Sequence, residues 1–455
     1  MQILRPYQHE AIDLLKQKIQ QGKKRIVVVS PTGSGKTTLA SEIIKRCVEK
    51  GKKALFIAHR QELVYQAHAR FAEFGINAGI IMPPHTLANG HDVHVASIQT
   101  LIRRVKPQAD VIFIDESHHS TANSYHSIIK NYPDAILIGL TATPYRMDGK
   151  GLGNIYGDII VSSTIEKLIK DKYLVQPRYF GAKKDFSDIH IQAGDYNTKE
   201  LFQKMDEKVL YDGVVEKFKQ FGSGKTLIFC VNIEHSTKTT RAFIDAGYKA
   251  MHFDCDTKNA DRKIILDKFR RGDIDILSNV AICTEGFDLP AINTVILNRA
   301  TKSKCLFVQM VGRALRPSEG KEHAIIIDHG NNVYEHGAVE WEEEYSLEGI
   351  KKKKKKSAGN MLERVKECPQ CKELLHIRCK SCPGCGYIFP VEEKLIQADF
   401  EELKLKKIII PTHLRKPWSK MSDEELEEYR VLKGYKKGWL WYQRKLRNER
   451  MVING

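Results

Sequence analysis

The chain has 455 residues, 42% of them hydrophobic and 28% charged, and carries 73 Lys+Arg against 56 Asp+Glu for a formal net charge of +17. This balance is that of a globular chain with ample core, and no apolar run approaches the ~20 residues a membrane-spanning helix needs, so no membrane partner is expected. Five of the ten cysteines fall between positions 368 and 385, which suits a metal site in a reducing compartment and not a secreted disulfide framework.

In chain order, Leu4-Arg5-Pro6-Tyr7-Gln8 stands near the start, and a helical pattern runs from Thr38 to Lys50. Apolar runs at 26–29, 54–58, 93–96, 111–114 and 136–140 then alternate with helical segments, as buried parallel strands covered on both faces do. The less regular stretch 149–224 is expected to connect this unit to a second one, whose strands are the runs 227–231, 274–277, 294–297 and 324–327. The expected organisation is one α/β domain over 1–160 and another over 161–345. A basic linker over 346–366 with six consecutive lysines at 351–356 follows, then a zinc ribbon over 367–391 and a basic helical module over 392–455.

The chemistry concentrates in a few strings. Ser30-Pro31-Thr32-Gly33-Ser34-Gly35-Lys36-Thr37 stands between a strand and a helix, the context of a phosphate-binding loop. Its glycines let backbone N–H groups approach phosphate oxygens, Lys36 reaches the β- and γ-phosphates, and the Thr37 hydroxyl is placed for Mg²⁺. Position 30 is serine where the general pattern has glycine. The strand 111–114 delivers Asp115 and Glu116 at its end: Asp115 to hold Mg²⁺, Glu116 to orient and deprotonate the attacking water. In Gln309-Met310-Val311-Gly312-Arg313-Ala314-Leu315-Arg316 the two arginines lie three apart and share a face if the segment is helical. Arg316 is the expected finger on the γ-phosphate, with Gln309 and Arg313 beside it.

These strings, in this order, resemble those of superfamily 2 helicases over about residues 3–330, and the resemblance implies two tandem RecA-like parallel-sheet domains with ATP bound between them. It makes Arg5 and Gln8 part of the adenine-recognition segment. It makes Ala58-His59-Arg60-Gln61-Glu62-Leu63-Val64-Tyr65-Gln66 and Ser97-Ile98-Gln99-Thr100 segments that grip one nucleic-acid strand, with His59, Arg60, Gln66, Gln99 and Thr100 as contacts. Thr141-Ala142-Thr143-Pro144 is similar to the motif linking hydrolysis to movement. Ile282-Cys283-Thr284-Glu285-Gly286-Phe287-Asp288 resembles the motif that touches both ligands, with Thr284 toward nucleic acid and Gly286 and Asp288 toward ATP. Asp115-Glu116-Ser117-His118, Pro144-Tyr145-Arg146 and a cysteine cluster after the second domain resemble RadD-type bacterial and phage DNA helicases most.

Cys368-Pro369-Gln370-Cys371 and Cys382-Pro383-Gly384-Cys385 are two C-x-x-C turns ten residues apart, the spacing of a tetrahedral Zn²⁺ site; Cys379 and His376 are alternative ligands. Residues 351–455 hold 26 Lys+Arg against 14 Asp+Glu, so +12 of the +17 lies there and points to a polyanionic partner. Ser422-Asp423-Glu424-Glu425 has the form of a capping box, with Leu426, Tyr429 and Leu432 as an apolar stripe and Gly434 placed to end the helix. The aromatics of 435–447 are expected mainly to pack this module, leaving its lysines and arginines for DNA.

The expectation is therefore an ATP- and Mg²⁺-dependent DNA helicase or translocase of repair, recombination or replication. It is expected as a monomer in the cytoplasm, associated with the nucleoid in a bacterium or phage, with a possible protein partner at the ribbon and tail. The rivals are an RNA helicase, a DNA-binding or annealing ATPase without robust unwinding, and the motor subunit of a restriction system.

Overall fold

The structure, a computed structural model, describes residues 4–85, 90–206, 208–280, 283, 292–341, 344–349, 364–390, 411–433, 435–436 and 438–444. The lysine run, Thr284, Gly286, Asp288 and Gly434 lie outside the described residues. Two compact units result, residues 1–389 and 390–455.

The first lobe of the larger unit is a seven-stranded sheet. Its strands are β1 Arg25–Val29, β2 Ala54–Ala58, β3 Ala78–Ile81, β4 Val93–Ser97, β5 Val111–Ile114, β6 Ile136–Thr141 and β7 Asp158–Val161, all parallel, in the order β3-β4-β2-β5-β6-β1-β7. Alternation along each strand feeds two cores. Ile26, Val28, Phe56 and Phe113 pack on one face, while Val27, Leu55, Ile57, Ile112 and Ile114 pack on the other. A strand buried on both faces must be apolar throughout, which is why these segments read as continuous apolar runs. Helices α1 Pro6–Gln20, α2 Lys36–Val48 and α3 Gln61–Glu73 each turn an apolar stripe inward, with Leu15, Ile44 and Phe71 among the buried residues.

The second lobe holds β8 Gln176–Gly181, β11 Thr226–Cys230, β12 Ala250–Phe253, β13 Ile276–Asn279, β14 Thr294–Asn298 and β15 His323–Asp328; a small hairpin of β9 Ile191–Gln192 and β10 Asp195–Tyr196 stands apart. The ribbon strands β16 Val365–Glu367 and β17 Glu373–His376 join the same sheet, in the order β12-β13-β11-β14-β15-β8-β17-β16. The lobe's own six strands are parallel, and β17 adds antiparallel to β8.

The stretch expected as a connector thus supplies β7 to one sheet and β8 to the other. Neither reads as a buried strand: β7 stands at the sheet's edge with only Ile160 buried, and β8 carries Gln176, Pro177 and Arg178. Pro177 is tolerated because β17 pairs only with Tyr179 and Phe180, beyond the missing N–H. The strand expected from residue 274 begins at Ile276.

In the smaller unit, Asp423–Lys433 is helical and the capping box forms: Ser422 N donates to Glu425 Oε2 at 2.6 Å and Glu425 N to Ser422 Oγ at 3.2 Å. Leu414, Met421 and Leu426 are its buried core, with Tyr429, Leu432, Trp439 and Leu440 packed against them. Trp441 and Tyr442 are exposed. Among the described residues no helix is long and apolar enough to cross a membrane.

Candidate functional site

β1 runs into a loop whose last residue, Gly35, has φ 84° and caps α2. A side chain is excluded there twice over, by the left-handed backbone and because an added Cβ would stand 2.9 Å from Gln8 Nε2. Ser30 is buried and bonded: its Oγ lies 2.7 Å from Ser34 Oγ and accepts from Ser162 Oγ at 2.8 Å, while Ser34 Oγ donates to Pro31 O at 2.6 Å. The serine that departs from the general pattern therefore ties the loop to the end of β7.

Gln8 clamps this loop from behind. Its Oε1 accepts from Arg5 N at 2.9 Å and its Nε2 donates to Ser34 O and Gly35 O, each at 3.2 Å. Tyr7 adds a hydrogen bond from its hydroxyl to Ser34 O at 2.5 Å. The Arg5 guanidinium lies 4.6 Å from the centre of the Tyr173 ring, in the segment entering the second lobe.

A cleft of about 600 Å³ opens in front of the loop. Thr32, Gly33, Ser34, Gly35, Lys36 and Thr37 line it together with Asp115 and Glu116 of the first lobe and Arg313 and Arg316 of the second. Lys36 Nζ is 3.4 Å from Glu116 Oε1. Burial, then the Glu116 carboxylate, pushes Asp115 up to about 7, and Lys36 pulls the other way; a divalent cation held at Asp115 would favour its charged form further. Glu116 itself adopts φ 46°, a left-handed conformation that a non-glycine residue keeps only where its surroundings enforce it. Asp115 beside the Thr37 hydroxyl loop offers hard oxygen donors that fit Mg²⁺.

The second lobe reaches this cleft through the helix Lys304–Gly312 and the turn after it. Gln309 Nε2 stands 3.5 Å from His118 Nε2, and Thr143 Oγ1 donates to Cys305 Sγ at 3.0 Å. A Cβ added to Gly33 would lie 3.4 Å from Arg316 Cγ, so the arginine stem already packs on the loop before α2. One residue here escaped sequence reasoning. Lys321 is buried and donates from Nζ to Ala314 O, to Ile292 O at 2.6 Å and to Arg316 O at 2.9 Å, gathering the carbonyls of the arginine turn. Burial lowers it to about 8, with Arg316 adding to the effect. A lysine five residues past an arginine motif carries no sequence signal of this.

The nucleic-acid candidates divide. His59 and Arg60 follow β2 and are half-buried, Gln99 Nε2 donates to His59 O at 2.8 Å, and Thr100 lies beside it, so these four stand together at the strand ends. Gln66 instead lines the nucleotide cleft with Leu63, Ala69, Arg70 and Glu73. Its motif runs from a strand into α3, and on that helix positions 63, 66, 70 and 73 share one face. Glu62, on the same turn, pairs with Arg262 of the second lobe at 3.5 Å.

The sulfurs of Cys368, Cys371, Cys382 and Cys385 all lie within 4.8 Å of one another, with Cys368–Cys385 at 3.6 Å and Cys371–Cys382 at 3.5 Å. Thiolates ~2.3 Å from a tetrahedral ion are roughly 3.8 Å apart, so the set fits Zn²⁺. Cys379 and His376 stand outside the four; the His376 ring packs on Trp341 at 4.7 Å. The cluster is tied to the second lobe by Arg178 of β8, whose Nε and terminal nitrogen donate to Glu373 Oε2 at 3.1 and 3.0 Å, while that oxygen is 3.8 Å from Cys382 Sγ.

Residues 2–146 match the family model described as type III restriction enzyme, res subunit, and residues 208–318 match the helicase conserved C-terminal domain. The chain is 35% identical over 392 residues to a 51.5 kDa protein of a Lactococcus phage, spanning 84% of this chain and 83% of the relative. It is also 35% identical over 352 residues to the putative ATP-dependent helicase IRC3 of Saccharomyces cerevisiae, spanning 72% of this chain but only 51% of the yeast protein. Among solved structures, a fragment of a putative HsdR subunit of a type I restriction enzyme from Vibrio vulnificus is similar with a TM-score of 0.59 at 25% identity, over 74% of this chain and 66% of that one.

Proposed function

Because this chain belongs to the superfamily 2 DExH helicases, ATP-hydrolysing enzymes of nucleic acid, we propose that it is a DNA translocase of the RadD type serving repair, recombination or replication. The observation that carries the reading is that Lys36 and Glu116 of one lobe and Arg313 and Arg316 of the other line one shared cleft. A nucleotide there binds both lobes at once, and its hydrolysis alters their contact. Lys36 would bind the β- and γ-phosphates, Thr37 and Asp115 would hold Mg²⁺, and Glu116 would take a proton from water. Magnesium, when bound, neutralises phosphate charge. Arg316 would complete the site when the lobes close, with Gln309 fixing His118 beneath Glu116.

DNA is favoured over RNA by the likeness to restriction-enzyme subunits; the +12 formal charge of residues 351–455 supports a nucleic-acid partner of either kind. Zn²⁺ held by the four cysteines would stabilise the edge of the second-lobe sheet. The test is the ATPase rate with single-stranded, duplex and forked DNA and with RNA, with Lys36→Ala as control. Stimulation by DNA above RNA, abolished in Lys36→Ala, is expected; equal or greater stimulation by RNA would make this an RNA enzyme. Strand displacement measured beside translocation separates an unwinding enzyme from a translocating or annealing one.

A further inference from the structure

Three histidine rings join the segment after β2 to the turn that carries Glu116. β2 ends at Ala58, and the ring of the next residue, His59, packs on His119 with centroids 4.4 Å apart. His119 packs in turn on His118, centroids 4.1 Å apart. His118 is buried, its Nδ1 3.4 Å from Glu116 Oε2 and 3.3 Å from Thr141 Oγ1, its Nε2 facing the Gln309 amide of the second lobe. At the other end, Arg60 Nε donates to His59 Nε2 at 3.3 Å, and the His59 carbonyl accepts from Gln99.

The two ends of this stack belong to different tasks. One is the cluster of strand-end residues offered to nucleic acid, the other the carboxylate offered to water. Ser117–His119 form a single 3-10 turn that starts at Glu116, so the backbone leaves no slack between the His119 ring and the catalytic carboxylate. Close-packed groups shift between discrete arrangements instead of deforming continuously, so a displacement of His59 by a bound strand has to be taken up at His119.

We propose that His119 is a positioning residue through which occupancy of His59 and Arg60 by nucleic acid adjusts Glu116 and raises the rate of hydrolysis. The inference rests on the nucleic-acid role given to His59 and Arg60 above. It assigns His119 no contact with ATP and none with the polymer.

The experiment uses the full chain, wild type and His119→Ala, His119→Leu and His119→Phe, in steady-state ATPase with and without saturating oligothymidylate. Oligonucleotide affinity by fluorescence anisotropy and the thermal midpoint are measured alongside. Ala and Leu are expected to keep the basal rate and the oligonucleotide affinity while losing roughly three- to tenfold of the stimulation, the size a ring–ring contact supports. Phe, which restores a ring, should recover most of it. Stimulation unchanged in both Ala and Leu overturns the inference alone. Basal and stimulated rates falling by the same factor also overturn it, since that is what a purely structural residue would do. A wild-type rate indifferent to every polymer overturns the function proposed above and this inference with it.

Discussion

The nucleotide cleft and the cysteine cluster are both built from short motifs, yet they depend on the fold in opposite ways. The cluster's four ligands span eighteen residues, and two tight turns suffice to bring their sulfurs within 4.8 Å. The cleft's residues run from Arg5 to Arg316 and meet only because β1 and β5 flank β6 in one parallel sheet, so that their ends lie on the same edge, and the second lobe brings its arginine turn to the same cleft. A site written locally tolerates changes elsewhere in the chain, whereas a site assembled from two lobes responds to anything that moves them. That responsiveness is what a motor requires.

If the cleft works as one unit, single substitutions in it should be severe. Glu116→Gln is expected to bind ATP yet hydrolyse it on the order of a hundred- to ten-thousandfold more slowly, since the amide keeps the shape and loses the base. Quench-flow hydrolysis beside a nucleotide-binding titration measures both, and loss of binding instead would give Glu116 a structural role.

The cluster's local character sets up a sharper contrast, because its strands are stitched to the second lobe through β17 and the Arg178–Glu373 pair. Cys382→Ser with Cys385→Ser should release the metal to a colorimetric chelator and lower the thermal midpoint of the whole enzyme by several degrees, about what a loss of 1–2 kcal/mol does. An unchanged midpoint with metal lost would show the ribbon to be energetically separate.

Lys321 links the cleft to the body of its lobe. Lys321→Met leaves three carbonyls without their donor and should cost about 2–3 kcal/mol by chemical denaturation. The lysine's folded value, about 8, lies below its unfolded one, so its penalty is fully present below pH 8 and is relieved as pH rises toward the unfolded value. Wild type should therefore gain stability relative to the variant over that window; a gap independent of pH would mean that the ammonium is not held as described.

The smallest effect expected is that of the smaller unit. Residues 390–455 hold 15 Lys+Arg against 11 Asp+Glu, a formal +4, so with most of their cations offset by carboxylates, removing them should flatten the slope of log affinity against log salt by only about one to four. The cut belongs after Phe389, because cutting at 351 would also strip β16 and β17 from the second-lobe sheet. A slope that falls further would place more phosphate contacts in this unit than its charge suggests.

Much of this was legible in the sequence, for stated reasons. Strands buried on both faces had to be apolar throughout, so five strands of the first sheet and four of the eight in the second could be traced, while the short β3 and β12 were passed over; the loop before α2, Asp115-Glu116, the two arginines and the four cysteines stood out by spacing and lie where a shared cleft and a sulfur cluster form. What escaped were strands whose neighbours excuse them from the apolar rule, such as β8 with its proline and arginine. Side chains whose work is done through tertiary contact escaped too: Lys321 on three carbonyls, Arg178 over the cysteines, His119 between two rings. Gln66, read by motif as a nucleic-acid contact, lines the cleft with Arg70 and Glu73, because helical phase, not order in the string, decides which cleft a residue lines.

The central claim is that the second lobe completes the catalytic site, and Arg316→Ala tests it most directly. Single-turnover hydrolysis of bound ATP in the presence of DNA should slow by a factor on the order of a thousand while DNA affinity without nucleotide stays near wild type. A single-turnover rate equal to that of wild type would contradict the account, because the cleft would then be catalytically complete within the first lobe alone.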